Sequence, residues 1–399
     1  MTSSFLSKRL DPVLIIALAQ LFGTSLWFSA NSAGNDLMQS LQLTPTGIGW
    51  LTSAVQAGFV LGTLVVALSG IADRWRASTI FVASAIAGAL FNVLFAWFAD
   101  GLSSALILRF LVGLSLAGIY PIGMKLVVSW APERTGAALA QLLAMLVLGT
   151  ALPHGLREVG ADLPWQWIIT ASSVLALFAA LLIHLLGDGP YANGRFSAPT
   201  KTQGKPLGVL DAFRIRGFRA AAVGYFGHMW ELYAFWTLVP LLLARSRLVD
   251  SYPMLSISLM SFAIIAMGAI GCLLGGSLSK RVGSARVALS ALACSGICAL
   301  IFALGWRDLP TLVLAILLLI WGASVSADSP QFSSMSAQAC PPQLVGTALA
   351  IQNSIGFAIT MVSIAAAMAL FERVGIDAVW LLVPGPVLGL AGYMYIMRR

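Results

Sequence analysis

The chain has 399 residues, of which 59% are hydrophobic and only 10% are charged. Soluble domains carry about 25% charged residues, so this composition excludes an ordinary soluble domain and indicates an integral membrane protein. The net charge of +8 lies largely in loops. Basic residues in loops set membrane orientation, and we therefore expect no nucleic-acid partner.

Apolar runs long enough to cross a membrane recur along almost the whole chain. About 20 apolar residues in a helix cross the roughly 30 Å of hydrocarbon. Short polar breaks rich in Pro, Gly and Asp separate the runs and predict turns. The predicted spans, numbered as helices 1 to 12, are 13–33, 46–70, 79–99, 104–128, 137–157, 165–187, 219–243, 253–278, 285–305, 310–335, 346–370 and 378–397.

One polar segment, 188–218, is much longer than the other breaks and carries five basic residues. It divides the spans six against six. We therefore predict an N-terminal bundle at 1–187, a cytoplasmic linker at 188–218 and a C-terminal bundle at 219–399. The excess of basic residues in the linker and in alternate loops predicts that both termini face the cytoplasm. The four cysteines lack metal-ligand spacing, so no metal site is expected.

The two predicted halves repeat the same landmarks at similar spacing. In the region of helices 4 and 5, and again in the region of helices 10 and 11, two prolines are followed by a glycine. These residues are Pro121, Pro132 and Gly136 in the first half, and Pro330, Pro341 and Gly346 in the second. Such duplication is typical of secondary transporters, whose binding site lies near the midplane between the halves.

The loops after helices 2 and 8 carry a motif in addition to the repeat. The first reads SGIADRWR at 69–76, and the second reads GSLSKRVG at 276–283. With twelve helices and a central linker, the sequence resembles the major facilitator superfamily of secondary transporters. That resemblance implies an all-α integral membrane fold with twelve transmembrane helices in two pseudo-symmetric six-helix bundles.

Within these loops we expect a conformational latch, in which a carboxylate near a helix end accepts hydrogen bonds from the opposite half in one state only. The alternative is a set of solvated cytoplasmic flanking residues. The latch residues are Asp73, Arg74, Lys280 and Arg281.

Helix 4 contains two basic residues. Arg109 lies about two turns inside the span, where an unpaired charge is costly. It is expected to bind an anionic group or to tune the proton affinity of a nearby acid. The alternative is a structural role, in which Arg109 forms a buried ion pair or binds a ring of carbonyls and so fixes helix packing. Lys125, nearer the helix end, either contacts an anionic substrate or extends its ammonium group to the interface.

Helix 7 places His228 and Glu231 three residues apart on one face, with Tyr233 nearby. Burial favours the protonated form of a carboxylic acid, and histidine titrates near neutral pH. This face is therefore expected to contact substrate or to carry a coupling proton. The alternative is a mutually hydrogen-bonded pair that only braces the helix.

Three further polar residues are candidates for the transport path. Asp328 precedes Pro330 in helix 10, where a freed backbone carbonyl is typical of an interrupted helix lining a cavity. It is expected to be a second protonation site, or else an acid facing cytoplasmic water. His154 in helix 5 and Asn31 in helix 1 are candidate cavity residues, with an interfacial position or interhelical hydrogen bonding as the alternatives.

These residues favour a secondary active transporter that moves a small solute, preferably an anion, by proton-coupled alternating access. The alternatives are a proton-coupled exporter of a drug or metabolite, a passive facilitator and a membrane sensor. The sequence lacks a nucleotide-binding loop and HExxH, so neither ATP drive nor catalysis is expected. We expect no cofactor, with a proton as the coupling ion. The expected partners are a small-molecule solute and membrane lipid. The protein is expected to act as a monomer in the bacterial inner membrane.

Overall fold

The computed structural model describes residues 10–192, 209–341 and 345–398, with backbone alone at 73, 135, 136, 209–211, 346 and 347. Within these ranges the chain forms helices and no strands. The membrane helices of the first half are Pro12–Thr24, Pro45–Ser69, Ala77–Phe98, Leu102–Leu116 with Tyr120–Trp130, Thr135–Val159 and Trp165–Leu186. Those of the second half are Arg216–Arg245, Ile257–Val282, Ser284–Gly305, Thr311–Ala327 with Ser329–Ala339, Val345–Val374 and Pro384–Arg398.

The predicted number of membrane helices is confirmed. Nine described segments are long and apolar enough to cross a membrane, and one of them, Ala348–Arg398, contains two helices. Pro12–Thr24 is a shorter apolar helix, and Arg216–Arg245 is long but interrupted by charged side chains. Together they make twelve helices in the described part of an all-α membrane protein.

Local sequence signals account for several helix ends. The side chains of Asp11, Thr44 and Ser256 accept hydrogen bonds from backbone amides in the first turns of helices 1, 2 and 8. Such capping satisfies amides that have no partner inside the helix. Gly70 ends helix 2 with φ of 68°, a conformation that glycine adopts without strain.

Three membrane helices are interrupted near mid-membrane. Helix 10 breaks at Asp328, as predicted from Pro330, and helix 4 breaks at the pseudo-symmetric position, 117–119. Helix 1 also breaks, at 25–28, inside a span that the sequence predicts as continuous. Its pseudo-symmetric counterpart, helix 7, continues for 30 residues.

Close helix contacts join the two predicted halves. Helix 5 packs along helix 8, and helix 2 packs along helix 11. At one end of the molecule the Thr46 amide donates a 2.8 Å hydrogen bond to Glu372 Oε1. At the other end, a Cβ on Gly276 would lie 3.2 Å from that of Ala140. The division at 188–218 remains a prediction, because the described residues leave out 193–208.

Candidate functional site

A small cavity lies between helices 4 and 5 on one side and helices 7, 8, 10 and 11 on the other. Its volume is about 40 Å³, enough for a few water molecules only. Its aromatic and polar lining comprises Tyr120, Tyr225, Tyr233, Trp236, Phe357, Cys272, Ser326, Ser329, Ser333 and Asn353. None of the described lining residues is charged. An organic solute can occupy this place only after the surrounding helices move apart.

Aromatic rings from both halves meet beside this cavity. Phe59 of helix 2 lies 4.6 Å from Phe357 of helix 11, measured between ring centroids. Trp27, in the break of helix 1, lies 5.8 Å from Tyr233 and 5.7 Å from Phe357. Aromatic pairs at such distances contribute about 0.5–1.5 kcal/mol beyond burial. The predicted site residue Tyr233 thus belongs to an aromatic cluster that connects the halves.

The structure does not support the alternative in which His228 and Glu231 only hydrogen-bond to each other, because each has other partners. His228 Nδ1 lies 2.8 Å from Asp328 Oδ1, with both side chains fully buried. The contact does not meet the geometric criteria for a hydrogen bond, and it is an ion pair only when the imidazole is protonated. Asp328 is therefore not a helix-end acid facing water. The break in helix 10 brings it to helix 7, two residues from the cavity-lining Ser326.

Glu231 occupies a separate buried polar cluster. Its Oε1 accepts a 2.7 Å hydrogen bond from Trp321 Nε1, and its Oε2 accepts a 2.8 Å bond from Ser295 Oγ. Both donors are neutral and come from helices 10 and 9. A carboxylate that is buried with neutral donors only keeps much of the free-energy cost of burying its charge.

Arg109 lies in a cluster of helices 1, 3 and 4 that mirrors the Glu231 cluster of helices 7, 9 and 10. Its guanidinium donates to Leu26 O at 3.2 Å, to Trp27 O at 2.5 Å, and to the side chains of Ser29 and Asn92 at 3.1 and 2.9 Å. These acceptors include the carbonyls freed where helix 1 breaks. Arg109 does not line the central cavity, so its contacts match the structural alternative rather than the predicted anion contact.

The remaining predicted path residues, Asn31 and His154, line a second pocket near the C-terminal end of helix 5. Its volume is about 330 Å³, and Asp36 and Arg157 also line it. Arg157 forms a 3.0 Å ion pair with Asp36. Asn31 donates a 2.9 Å hydrogen bond to Thr52 Oγ1, whereas His154 Nε2 is buried without a partner among the described side chains. The predicted topology places this pocket on the outer side.

The described side chains cover only part of the predicted latch. The side chain of Asp73 lies outside the described residues. Arg74, Lys280 and Arg281 are exposed. Lys125 donates a hydrogen bond to the backbone carbonyl of Ala72, so this lysine is held against the loop after helix 2. The latch remains a prediction.

Sequence reasoning missed the partners of the ionisable residues. Trp321 and Ser295 hold Glu231, while Ser29 and Asn92 hold Arg109. Single serines and tryptophans are common in membrane helices, and their spacing gives no sign of which helix they face. A signal does exist for Asn92, an amide in the middle of an otherwise apolar helix 3.

Comparison with known proteins gives a family match over most of the chain. The family model of the Major Facilitator Superfamily matches residues 14–365. The 3-(3-hydroxy-phenyl)propionate transporter of Escherichia coli (strain K12) is 28% identical over 308 residues, which cover 76% of this chain and 72% of that protein. Niacin transporter NiaP of Acinetobacter baylyi is 32% identical over 128 residues, covering 30% of this chain and 28% of that protein.

Solved structures also resemble this chain. The crystal structure of the nucleoside transporter NupG aligns with a TM-score of 0.70 over 98% of this chain and 99% of that chain. The sequence identity is 14%. At this identity the likeness shows the fold alone.

Proposed function

Because this chain belongs to the major facilitator superfamily of membrane transporters, we propose that it carries a small aromatic carboxylate together with protons by alternating access. The observation that carries this proposal is the uncharged central cavity, lined by three tyrosines, Trp236 and Phe357 and lying beside a buried acid–histidine pair. The proposed location is the bacterial inner membrane, with both termini in the cytoplasm.

The aromatic lining supports an aromatic solute. Tyr120, Tyr225 and Tyr233 offer ring faces for stacking, and their hydroxyl groups form no hydrogen bond with the described residues. Those hydroxyls, with the amide of Asn353, can donate hydrogen bonds to a carboxylate without a fixed positive charge. Hydroxyphenylpropionate and niacin, named for two relatives, are both aromatic carboxylates.

Proton coupling is supported by the buried acids of the second half. Glu231 has two neutral donors and no cation among the described residues within hydrogen-bonding distance, and Asp328 contacts His228. Each acid can gain or lose a proton inside the membrane, where burying a charge costs free energy. Its protonation state can therefore favour one conformation over another. A solute that enters as an anion would be neutralised in net charge by an accompanying proton.

Alternating access is supported by the geometry of the cavities. The central cavity of about 40 Å³ is far below the several hundred Å³ of typical ligand pockets. The outer pocket of about 330 Å³ reaches that range. We infer that the solute passes from the outer pocket to the centre when helices 5 and 8, or 2 and 11, separate.

The test is accumulation in proteoliposomes with an imposed pH gradient, using 3-(3-hydroxyphenyl)propionate and nicotinate as probes. With one proton per solute, each pH unit supports up to about tenfold accumulation. The Glu231→Gln variant is expected to lose this gradient-driven accumulation yet retain exchange of labelled for unlabelled solute. Glu133→Gln, at an exposed turn outside the site, is the matched control and should accumulate solute normally.

The same assay separates the alternatives. Wild-type levels of accumulation by Glu231→Gln would refute the coupling role of this residue. Passive facilitation predicts equilibration of the probes without any response to the pH gradient. Transport of lipophilic cations, with neither aromatic acid moved, would replace the proposal with drug export.

A further inference from the structure

Helices 8, 9 and 10 enclose a groove on the outer surface of the second half. Its volume is about 830 Å³. The wall is mainly apolar and includes Met267, Leu274, Leu278, Ile320 and Ala323. Leu274 is 65% exposed and Leu278 is 49% exposed. The groove thus faces the lipid, and it lies apart from the solute cavities described above.

Two arginines stand at one end of this groove. Arg281 lies in the last turn of helix 8, and Arg286 lies in the first turn of helix 9. Both side chains are exposed, and neither forms an ion pair or a hydrogen bond in the described part of the chain. The first turn of helix 9 has no side-chain cap at Gly283, so its free amides add partial positive charge at the same end.

The dimensions of the groove suit a lipid acyl chain. Arg281 and Met267 both line it and lie 14 residues apart on helix 8. At about 1.5 Å per residue the groove runs about 21 Å along that helix. It therefore extends from the headgroup level to beyond the middle of a hydrocarbon core of about 30 Å.

A second surface groove has no charged end. Helices 7, 11 and 12 form a groove of about 500 Å³ with Val223, Phe226, Trp230 and Leu388 among its lining residues. All of its described lining residues are uncharged. The two arginines are thus a distinct feature of the groove formed by helices 8 to 10.

We propose that the groove of helices 8 to 10 binds an anionic phospholipid. The phosphate and headgroup lie between Arg281 and Arg286, and one acyl chain lies along the apolar wall towards Met267. An arginine pair matches a phosphodiester in charge and in donor geometry. The predicted topology places this end on the cytoplasmic side, where anionic lipids give the membrane surface a negative potential.

The experiment measures lipid binding by purified full-length protein in detergent, with native mass spectrometry and thermal unfolding as readouts. The probes are phosphatidylglycerol and phosphatidylcholine with identical acyl chains, and glycerol 3-phosphate. Wild-type protein should bind phosphatidylglycerol at least about fivefold more strongly than phosphatidylcholine and gain thermal stability from it. The Arg281→Gln/Arg286→Gln variant should lose this preference, whereas Arg219→Gln, an exposed arginine at the start of helix 7, should keep it.

A second variant tests the acyl-chain part of the proposal. Ser290 is exposed and lines the groove, so Ser290→Phe fills the groove while leaving both arginines in place. It should lower phosphatidylglycerol occupancy severalfold without lowering the unfolding temperature of lipid-free protein. The proposal is overturned by equal binding of both lipids, by an unchanged preference in the double arginine variant, by unchanged phosphatidylglycerol occupancy in Ser290→Phe, or by equal stabilisation from glycerol 3-phosphate.

Discussion

Arg109 provides a test of whether a buried cation in helix 4 supports the fold or binds solute. The proposed change is Arg109→Ala. In the structure, the guanidinium satisfies the carbonyls of Leu26 and Trp27, which are left free where helix 1 breaks, and also bonds Ser29 and Asn92. Truncation to alanine removes every one of these bonds and leaves the acceptors buried.

The expected loss of stability has two sources. The Trp27 carbonyl loses its partner, whereas Leu26 O and Asn92 Oδ1 keep the hydrogen bonds that Ser29 Oγ donates. Truncation of a fully buried long side chain also leaves a cavity. A buried polar group left without its partner costs about 1–3 kcal/mol. Loss of the charged group also removes its own burial cost, which offsets part of the total. We therefore expect Arg109→Ala to lower the free energy of unfolding by about 3–5 kcal/mol. With about 2–4 °C per kcal/mol, the unfolding temperature should fall by roughly 10 °C.

The assay is thermal unfolding in detergent, in parallel with solute binding. Arg109→Lys keeps the positive charge but cannot reproduce the planar guanidinium fork. Its unfolding temperature should lie between those of Arg109→Ala and wild type. Asn92→Ala leaves the helix 1 carbonyls bonded, but it removes one acceptor of Arg109 and the bonds that Asn92 Nδ2 donates to Ile169 O and Ser173 Oγ. It should therefore lower the free energy of unfolding by about 1–3 kcal/mol, less than Arg109→Ala. If Arg109→Ala unfolds within about 2 °C of wild type and loses solute affinity instead, the structural role is refuted and the predicted anion contact is restored.

Two further predictions concern helix packing. Cysteines introduced at Ala140 and Gly276 should form a disulfide, because their Cβ atoms lie about 3.2 Å apart and disulfides join Cβ atoms at roughly 3.5–4.5 Å. Oxidation should stop proteoliposome transport and reductant should restore it; normal transport by fully oxidised protein would contradict alternating access at helices 5 and 8. A Cβ on Gly113 would lie 2.0 Å from the Val55 carbonyl oxygen. Gly113→Val should therefore lower the free energy of unfolding by several kcal/mol or prevent folding. Gly34→Ala, whose Cβ meets nothing within 4 Å, is its control, and equal unfolding temperatures for the two variants would contradict the packing argument.

The sequence predicted the parts of the fold that local chemistry determines. The number of helices follows from apolar length, and the break at Asp328 follows from Pro330, because a proline removes one helical hydrogen bond. The break in helix 1 was missed for a related reason. Its residues, 25–28, contain no proline or glycine, and the break is stabilised by Arg109, which is distant in sequence.

The candidate site was predicted less completely. The sequence identified His228, Glu231 and Asp328 as buried ionisable residues, and all three are fully buried. It paired the first two because residues three apart share a helix face. The actual partners depend on how helices 7, 9 and 10 are rotated about their axes, and that rotation is set by packing across the whole bundle. No spacing within one helix contains this information.

The mirrored polar clusters also bear on the history of the chain. Two copies of one six-helix unit have acquired opposite chemistry at corresponding depths, a permanent cation on Arg109 in one and an ionisable acid on Glu231 in the other. All the bonds of Arg109 lie within the first half, and both bonds of Glu231 lie within the second. The duplicated scaffold therefore separates two tasks. The charge that never changes is held where the first helix of the unit is broken, and the group whose charge can change lies on the copy of that helix that is continuous.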